Sequence, residues 1–229
     1  MCGRYPLDAQ ALSKLLEEFP FRDESDFQPN YNAAPTQQLP VIINTDGSFE
    51  IRLMHWGLIP GWLKPGEKPK VTPFNARSET LTEKPMFRKL VRNHRCIVPA
   101  SGFYEWKRTG AQKQPYYIHL ADQPIMLMAG LFDFGRDDEG ESQGSYTILT
   151  TTPNDVMAEV HDRMPVILHP DDVPLWMDED ITEIGPLESL LQPIAGAELE
   201  MYPVSMAVNN ARNNGPELLK PVVVQEKLL

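Results

Sequence analysis

The chain has 229 residues, 41% of them hydrophobic and 23% charged, enough for one sizeable core in an ordinary globular composition. No apolar run approaches the roughly 18 residues that span a bilayer, and the start Met1-Cys2-Gly3-Arg4-Tyr5-Pro6 has no apolar segment of a signal peptide, so a cytoplasmic protein is expected, nucleoid-associated if bacterial. The net charge of −11 argues against a general nucleic-acid binder, two cysteines without a CxxC pair argue against a disulfide framework, and 22 prolines disfavour long helices.

The first element is a helix from about Asp8 to Phe19: Leu12, Leu15, Leu16 and Phe19 recur at helical spacing, Asp8 caps it and Pro20 stops it. A Pro- and Asn-rich loop (28–35) leads to strands at Leu39–Ile43 and Phe49–His55, then a turn-rich loop from Trp56 to Trp62. Pro73–Glu79 reads as a loop running into a helix, and Phe87, Leu90 and Val91 mark a further short helix. Apolar runs predict strands at Ile97–Val98, Gly102–Lys107, Tyr116–Leu120, Ile125–Phe132 and Tyr146–Thr151, with a solvated loop at Asp137–Gln143. Thr152 as cap and Pro153 at the first position begin a short helix ending near His161. Two short amphipathic helices and a strand near Tyr202–Met206 close the chain. The expectation is a single α+β domain over residues 1–229, with a curved, mainly antiparallel, barrel-like β-sheet flanked by short helices.

The charge is uneven. Seven basic residues and one acid, Glu105, lie between Lys84 and Arg108. This stretch is either a local basic surface or a solvated helix face.

Chemistry begins at Cys2. Removal of Met1, which a small second residue permits, exposes a free α-amine and a thiol on adjacent carbons. With pKa values of about 7.7–8.0 and about 8.5, both are expected to have reactive fractions near neutral pH. A 1,2-aminothiol attacks an aldehyde twice, first as a Schiff base and then by closing a thiazolidine ring. By position alone, a cysteine at residue 2 is an incidental one. Asn75 is a polar residue in an otherwise apolar loop, where its amide either orients the chain start or caps the loop. Glu105 is a lone carboxylate in an aromatic strand. If alternation points it inward, burial raises its pKa and suits it to proton transfer; otherwise it is exposed and paired with Lys107 or Arg108. His161, at a helix end, is a proton shuttle or satisfies a carbonyl. His55, His94, His119 and His169 show no metal-ligand spacing, so no metal or other cofactor is expected. Cys96 reads as a buried core thiol. Trp56, Trp62 and Trp106 are either core or base-stacking platforms.

Together, Met1-Cys2-Gly3-Arg4-Tyr5, Tyr31–Pro35, Trp56–Pro60, Phe74–Thr80, Arg95–Trp106, Leu149–Asn154 and His161–Leu168, with Pro203-Val204-Ser205 and Val208-Asn209, resemble the SRAP (SOS-response-associated peptidase) family in order along nearly the whole chain. The resemblance implies an abasic-site shield. Cys2 would be the nucleophile that forms the thiazolidine with the ring-opened sugar. Asn75 would hold the amino terminus and the sugar. Glu105 would transfer protons, and His161 would assist that traffic and release. Arg4, Arg77 and Arg163 would engage flanking phosphates, and Trp106 with the 56–62 loop would shape a single-strand path. The implied partner is single-stranded DNA carrying an abasic site, bound with modest, salt-sensitive affinity, by a monomer with no membrane contact. Weak lyase activity would be a side reaction. Two other readings stay open: a thiol peptidase or autopeptidase using Cys2, His161 and Asn75, and a non-covalent single-strand DNA-binding module.

Overall fold

The computed structural model describes residues 2–18, 27–64, 67, 69–109, 112–136 and 142–224. The first part of the chain runs β1 (Tyr5–Leu7), α1 (Ala9–Glu18), β2 (Asn30–Ala33), β3 (Gln38–Thr45), β4 (Ser48–Trp56) and β5 (Asn75–Arg77). Next come α2 (Pro85–Arg88), α3 (Leu90–Asn93), β6 (Arg95–Ala100), β7 (Phe103–Thr109), β8 (Gln112–Leu120), β9 (Met126–Arg136) and β10 (Ser142–Thr151). The last part holds α4 (Asp155–Ala158), β11 (Met164–Pro165), β12 (Ile167–Leu168), α5 (Val173–Met177) and β13 (Leu199–Pro203).

Five strands close on themselves. β10 pairs with β4, β4 with β3, β3 with β6, β6 with β9, and β9 returns to β10. Only the β4–β10 seam of this ring is parallel. The fold is therefore the expected α+β domain, with a curved, mainly antiparallel sheet closed into a small barrel. Closure removes sheet edges and leaves an interior that side chains fill.

Alternate residues of each barrel strand serve two cores. Val41 and Ile43 of β3, Met54 and Trp56 of β4, Cys96 and Val98 of β6, Met128 of β9 and Tyr146 and Ile148 of β10 fill the inside. Ile42, Ile51, Ile97, Leu131 and Leu149 face outward, under Leu12 and Leu15 of α1, Val91 of α3 and Trp176 of α5. Both faces are covered, so β3 is buried almost continuously and shows no polar alternation. Asp46 (φ 52°) and Gly47 (φ 82°) turn β3 into β4 in two residues, both in the left-handed region that a tight primed hairpin turn requires. A second antiparallel sheet, β13–β8–β7, brings Phe103 and Ile118 into the inner core.

Several local expectations are corrected. Pro73–Glu79 is not a loop entering a helix. Asn75–Arg77 form a short strand parallel to β10, followed by one 3-10 turn, because β10 offers backbone partners there. Asn154, not Thr152, caps α4: its Oδ1 accepts from the Met157 N–H at 2.9 Å. The last strand ends at Pro203, since Ser205 caps a 3-10 turn over Met206–Asn209. Helix α1 is capped by Asp8 as expected, Oδ1 accepting from Gln10 and Ala11 N–H groups, but Leu16 is exposed. Phe19, Pro20 and residues 137–141 lie outside the described residues. Among the described residues, no helix is long and apolar enough to cross a membrane.

Candidate active site

The chain start is fastened at the barrel mouth. Pro6 O accepts from Ser101 N–H at 2.8 Å and Arg4 O from Tyr104 N–H at 2.9 Å, tying residues 4–6 to β7 and its approach. On the other side, Tyr5 pairs with Ala33 of β2. Arg4 Nη1 donates to Asn32 Oδ1 and to Val208 O, both at 2.9 Å. Asn32 Nδ2 in turn reaches the carbonyls of Val208, Asn210 and Asn213, so the buried Asn32 amide clamps the 208–213 segment onto the start of the chain.

Cys2 is 1% exposed and packs with the inner core. Its carbonyl accepts from Asn75 Nδ2 at 2.8 Å, and its Sγ–H points to Arg4 O at 3.9 Å. Asn75 Oδ1 is buried with no hydrogen-bond partner among the described residues. Burial, then the Glu105 carboxylate, push the Cys2 thiol up from its ordinary 9.0 to about 12. In the chain that still carries Met1, burial thus disfavours the thiolate, on which the reactive fraction expected of the free aminothiol depends. Beside it in the inner core, the hydroxyls of Tyr5 and Tyr146 share a 2.7 Å hydrogen bond, and burial raises both well above the ordinary phenol.

Glu105 points inward and is 5% exposed, as strand alternation allowed. It does not pair with Lys107, whose Nζ sits 3.4 Å from Glu159 Oε2. Glu105 and His161 line one cleft of about 700 Å³, with Trp106, Lys107, Arg108 and Lys113 on the hairpin side and Glu159 and Asp162 on the side that follows α4. The His161 backbone N–H donates to Met157 O at 2.9 Å, closing a helical turn just after α4. Ring Nδ1 lies 3.0 Å from the Arg163 amide nitrogen and 2.8 Å from Asp162 Oδ1. Asp162, Asn32 and the Tyr5–Tyr146 pair carry no motif signal in the sequence; only position next to His161 marks Asp162.

The DNA-contact set divides. Arg77 is exposed, two residues beyond Asn75 and hence on the same side of β5. Trp106 is half-buried at the cleft, with Nε1 donating to Asn209 Oδ1 at 2.7 Å. Arg4 is half-buried and holds the structure described above. The Arg163 guanidinium forks onto Glu79 at 2.5 and 2.9 Å and reaches Thr150 O at 2.6 Å, so it is occupied within the fold. Trp56 is fully buried, stacked on Tyr146 with its Nε1 on Phe74 O, whereas Trp62 is 71% exposed. The basic stretch is not one face: Arg95 is buried, while Lys84, Arg88, Lys89 and Arg92 are exposed along α2 and α3.

These features define a closed-barrel protein with a shielded thiol at residue 2, its carbonyl held by an amide and a carboxylate near it, and an imidazole lining the same cleft as that carboxylate. The sequence profile described as "SOS response associated peptidase (SRAP)" matches residues 1–211. The chain is 42% identical over 224 residues to the "Abasic site processing protein YoqW" of Bacillus subtilis, covering 96% of this chain and 99% of that one. It is 34% identical over 230 residues to YedK of Escherichia coli (97% and 100%) and 35% identical over 235 residues to HMCES of Xenopus tropicalis (90% and 70%), both also named abasic site processing proteins. A solved structure from Bacteroides thetaiotaomicron superposes with a TM-score of 0.86 at 29% identity, covering 97% of this chain and 100% of that one. The chain belongs to the SRAP family.

Proposed function

We propose that this protein processes abasic sites in DNA by capturing the ring-opened sugar of a single-stranded lesion on Cys2, after Met1 is removed, as a thiazolidine cross-link. The observation that carries the reading is the grip of Asn75 on the Cys2 carbonyl, with Asn75 Oδ1 buried and unpartnered among the described residues. An amide so placed holds a chain start and keeps an acceptor for an amine N–H or a sugar hydroxyl.

The chemistry balances with the loss of one water. The α-amine adds to the aldehyde carbon, and the carbinolamine expels water to give the imine. The thiol sulfur then adds to the imine carbon while its proton passes to the ring nitrogen. Glu105, beside the thiol, accepts and returns that proton, and it serves opening of the closed sugar in the same way. His161, across the cleft, takes part in proton transfer and in reversal. A thiol pushed up to about 12 next to a carboxylate is the opposite of an activated peptidase thiolate, which favours the aminothiol reading over a Cys-His peptidase. Exposed Arg77 and the cations Lys107, Arg108 and Lys113 at the cleft supply phosphate contacts, Trp106 an aromatic face for a base, and Arg163 joins them only by leaving Glu79. The protein acts as a monomer.

The test is the intact mass after mixing with an oligonucleotide bearing one abasic site. The expected product is protein without Met1 plus oligonucleotide minus one water, absent when the α-amine has been acetylated. A product of equal yield from the acetylated protein would overturn the aminothiol mechanism.

A further inference from the structure

The cations that follow β5 are arranged as a stripe. Lys84, Arg88, Lys89 and Arg92 are all exposed, while Phe87, Leu90 and Val91 turn the other way into the outer core. Arg88 N–H donates to Lys84 O at 3.0 Å, and Lys89, itself in right-handed helical geometry, carries α2 into α3. The segment therefore winds as nearly one helix, with Lys84, Arg88 and Arg92 at i, i+4 spacing along its outer side. Like charges at that spacing destabilise the helix that bears them. Opposite charges do not relieve them. Lys84, Arg88 and Lys89 make no ion pair among the described residues, and Arg92 reaches only the exposed Glu183 at 3.9 Å, a contact that contributes little. From Lys84 to Arg92 the chain has four cations and no acid, in a protein of net charge −11; the nearest acid in sequence is Glu83.

The stripe is continuous with the site. Asn75, which grips the Cys2 carbonyl, lies two residues before the exposed Arg77 on β5. From Arg77, hydrogen-bonded turns lead straight to the helix: Leu81 N–H donates to Ser78 O at 3.4 Å and Lys84 N–H to Thr80 O at 3.1 Å. We infer that Lys84, Arg88, Lys89 and Arg92 form a track for the phosphate backbone of the strand flanking the lesion, leading away from Arg77. This rests on the proposed capture of the lesion at Cys2 and extends that reading to the DNA beside it. Four residues of helix rise about 6 Å, close to the spacing of successive phosphates on an extended strand, so each cation of the stripe meets its own phosphate. Contacts to phosphate carry no sequence information, which suits a protein whose lesion has lost its base. Among residues 84–93 no large apolar side chain is exposed. A protein partner would use one at the centre of its interface, so the surface fits a polyanion better than an acidic protein.

The test reads binding without capture. Labelled single strands of about 20 and about 5 nucleotides, each with one central tetrahydrofuran residue in place of the abasic sugar, have no aldehyde to react. Their affinities for the whole protein are measured by fluorescence anisotropy across a range of salt concentrations. For the triple variant Lys84→Gln, Arg88→Gln, Lys89→Gln, binding of the long strand should weaken by about tenfold at low salt, and the slope of log affinity against log salt should become shallower by about 2, three contacts at about 0.7 each. The short strand, confined to the lesion, should lose far less. The charge-keeping variant Lys84→Arg, Arg88→Lys, Lys89→Arg should bind like wild type. A glutamine variant that is folded by circular dichroism and binds the long strand with wild-type affinity and slope would overturn the track. Equal losses on both strands, or an equal loss in the charge-keeping variant, would overturn it as well. Cross-linking is read separately, by intact mass on a strand with a true abasic site. Its absence in wild type would sink the capture at Cys2, whereas a long-strand loss on the tetrahydrofuran probe would still support the track.

Discussion

Two regions of this molecule bury polar groups, and they do so to opposite ends. Arg95, at the start of β6, is 5% exposed. Its Nε donates to Trp176 O at 2.6 Å, its Nη1 to the carbonyls of Val91, Arg92 and Ile181 at 2.8, 2.6 and 2.9 Å, and its Nη2 to Asp178 O. One guanidinium thus caps the end of α3, fastens α5 and the turn beyond it to the barrel, and lies over the Trp176 ring. At the barrel mouth the demands are left open. Among the described residues Asn75 Oδ1 has no partner, and the Cys2 thiol is pushed toward its protonated form next to a carboxylate. A buried polar group that is saturated holds the fold. One that is left short is poised for a ligand or a proton.

The comparison can be broken from either side. Arg95→Ala strips donors from several carbonyls at once and should cost about 3–5 kcal/mol in urea or guanidinium unfolding, with cross-linking per folded molecule unchanged. Glu105→Gln should do the reverse, slowing cross-link formation by about a hundredfold while the unfolding midpoint moves little; single-turnover gels read the first and denaturant curves the second. Asn75→Ala should cost stability by only about 1 kcal/mol and cross-linking by at least about tenfold, since Asn75 gives one hydrogen bond to the fold and the rest of its amide to the site.

Alkaline pH sharpens the same contrast. Burial raises the Cys2 thiol from 9.0 to about 12 and also raises Cys96, Tyr5 and Tyr146. The folded state keeps these protons while the unfolded chain releases them. The stability they contribute is therefore complete below about pH 9 and is lost as pH climbs toward 12. The melting temperature should fall steadily across that window. Cys96→Val, a change of similar volume costing about 1 kcal/mol, should make the fall shallower; an unchanged slope would remove Cys96 from the account.

The fold was legible where the pattern is local. Asp8 and the leucines of α1, and the apolar runs of β3, β4, β9 and β10, stand in the sequence where they stand in the structure. The curved, barrel-like sheet was expected, but which strands close it was not, because closure depends on His55 and Trp56 meeting Ser145 and Tyr146 across some 90 residues, and β5 exists only because β10 offers it backbone partners. Glu105 was legible through strand alternation, whereas Cys2, Asn75 and His161 gained weight from family resemblance. Arg95 was miscounted among surface cations, since charge runs carry no record of which member the chain folds over.

The most direct test sets the two buried cysteines against each other. Wild type, Cys2→Ser and Cys96→Ser, each confirmed folded and free of Met1, are mixed with a single-stranded oligonucleotide bearing one abasic site and run on a denaturing gel. The account predicts a heat-stable, lesion-specific adduct for wild type and Cys96→Ser and none for Cys2→Ser. A stable adduct of wild-type yield from Cys2→Ser would contradict it.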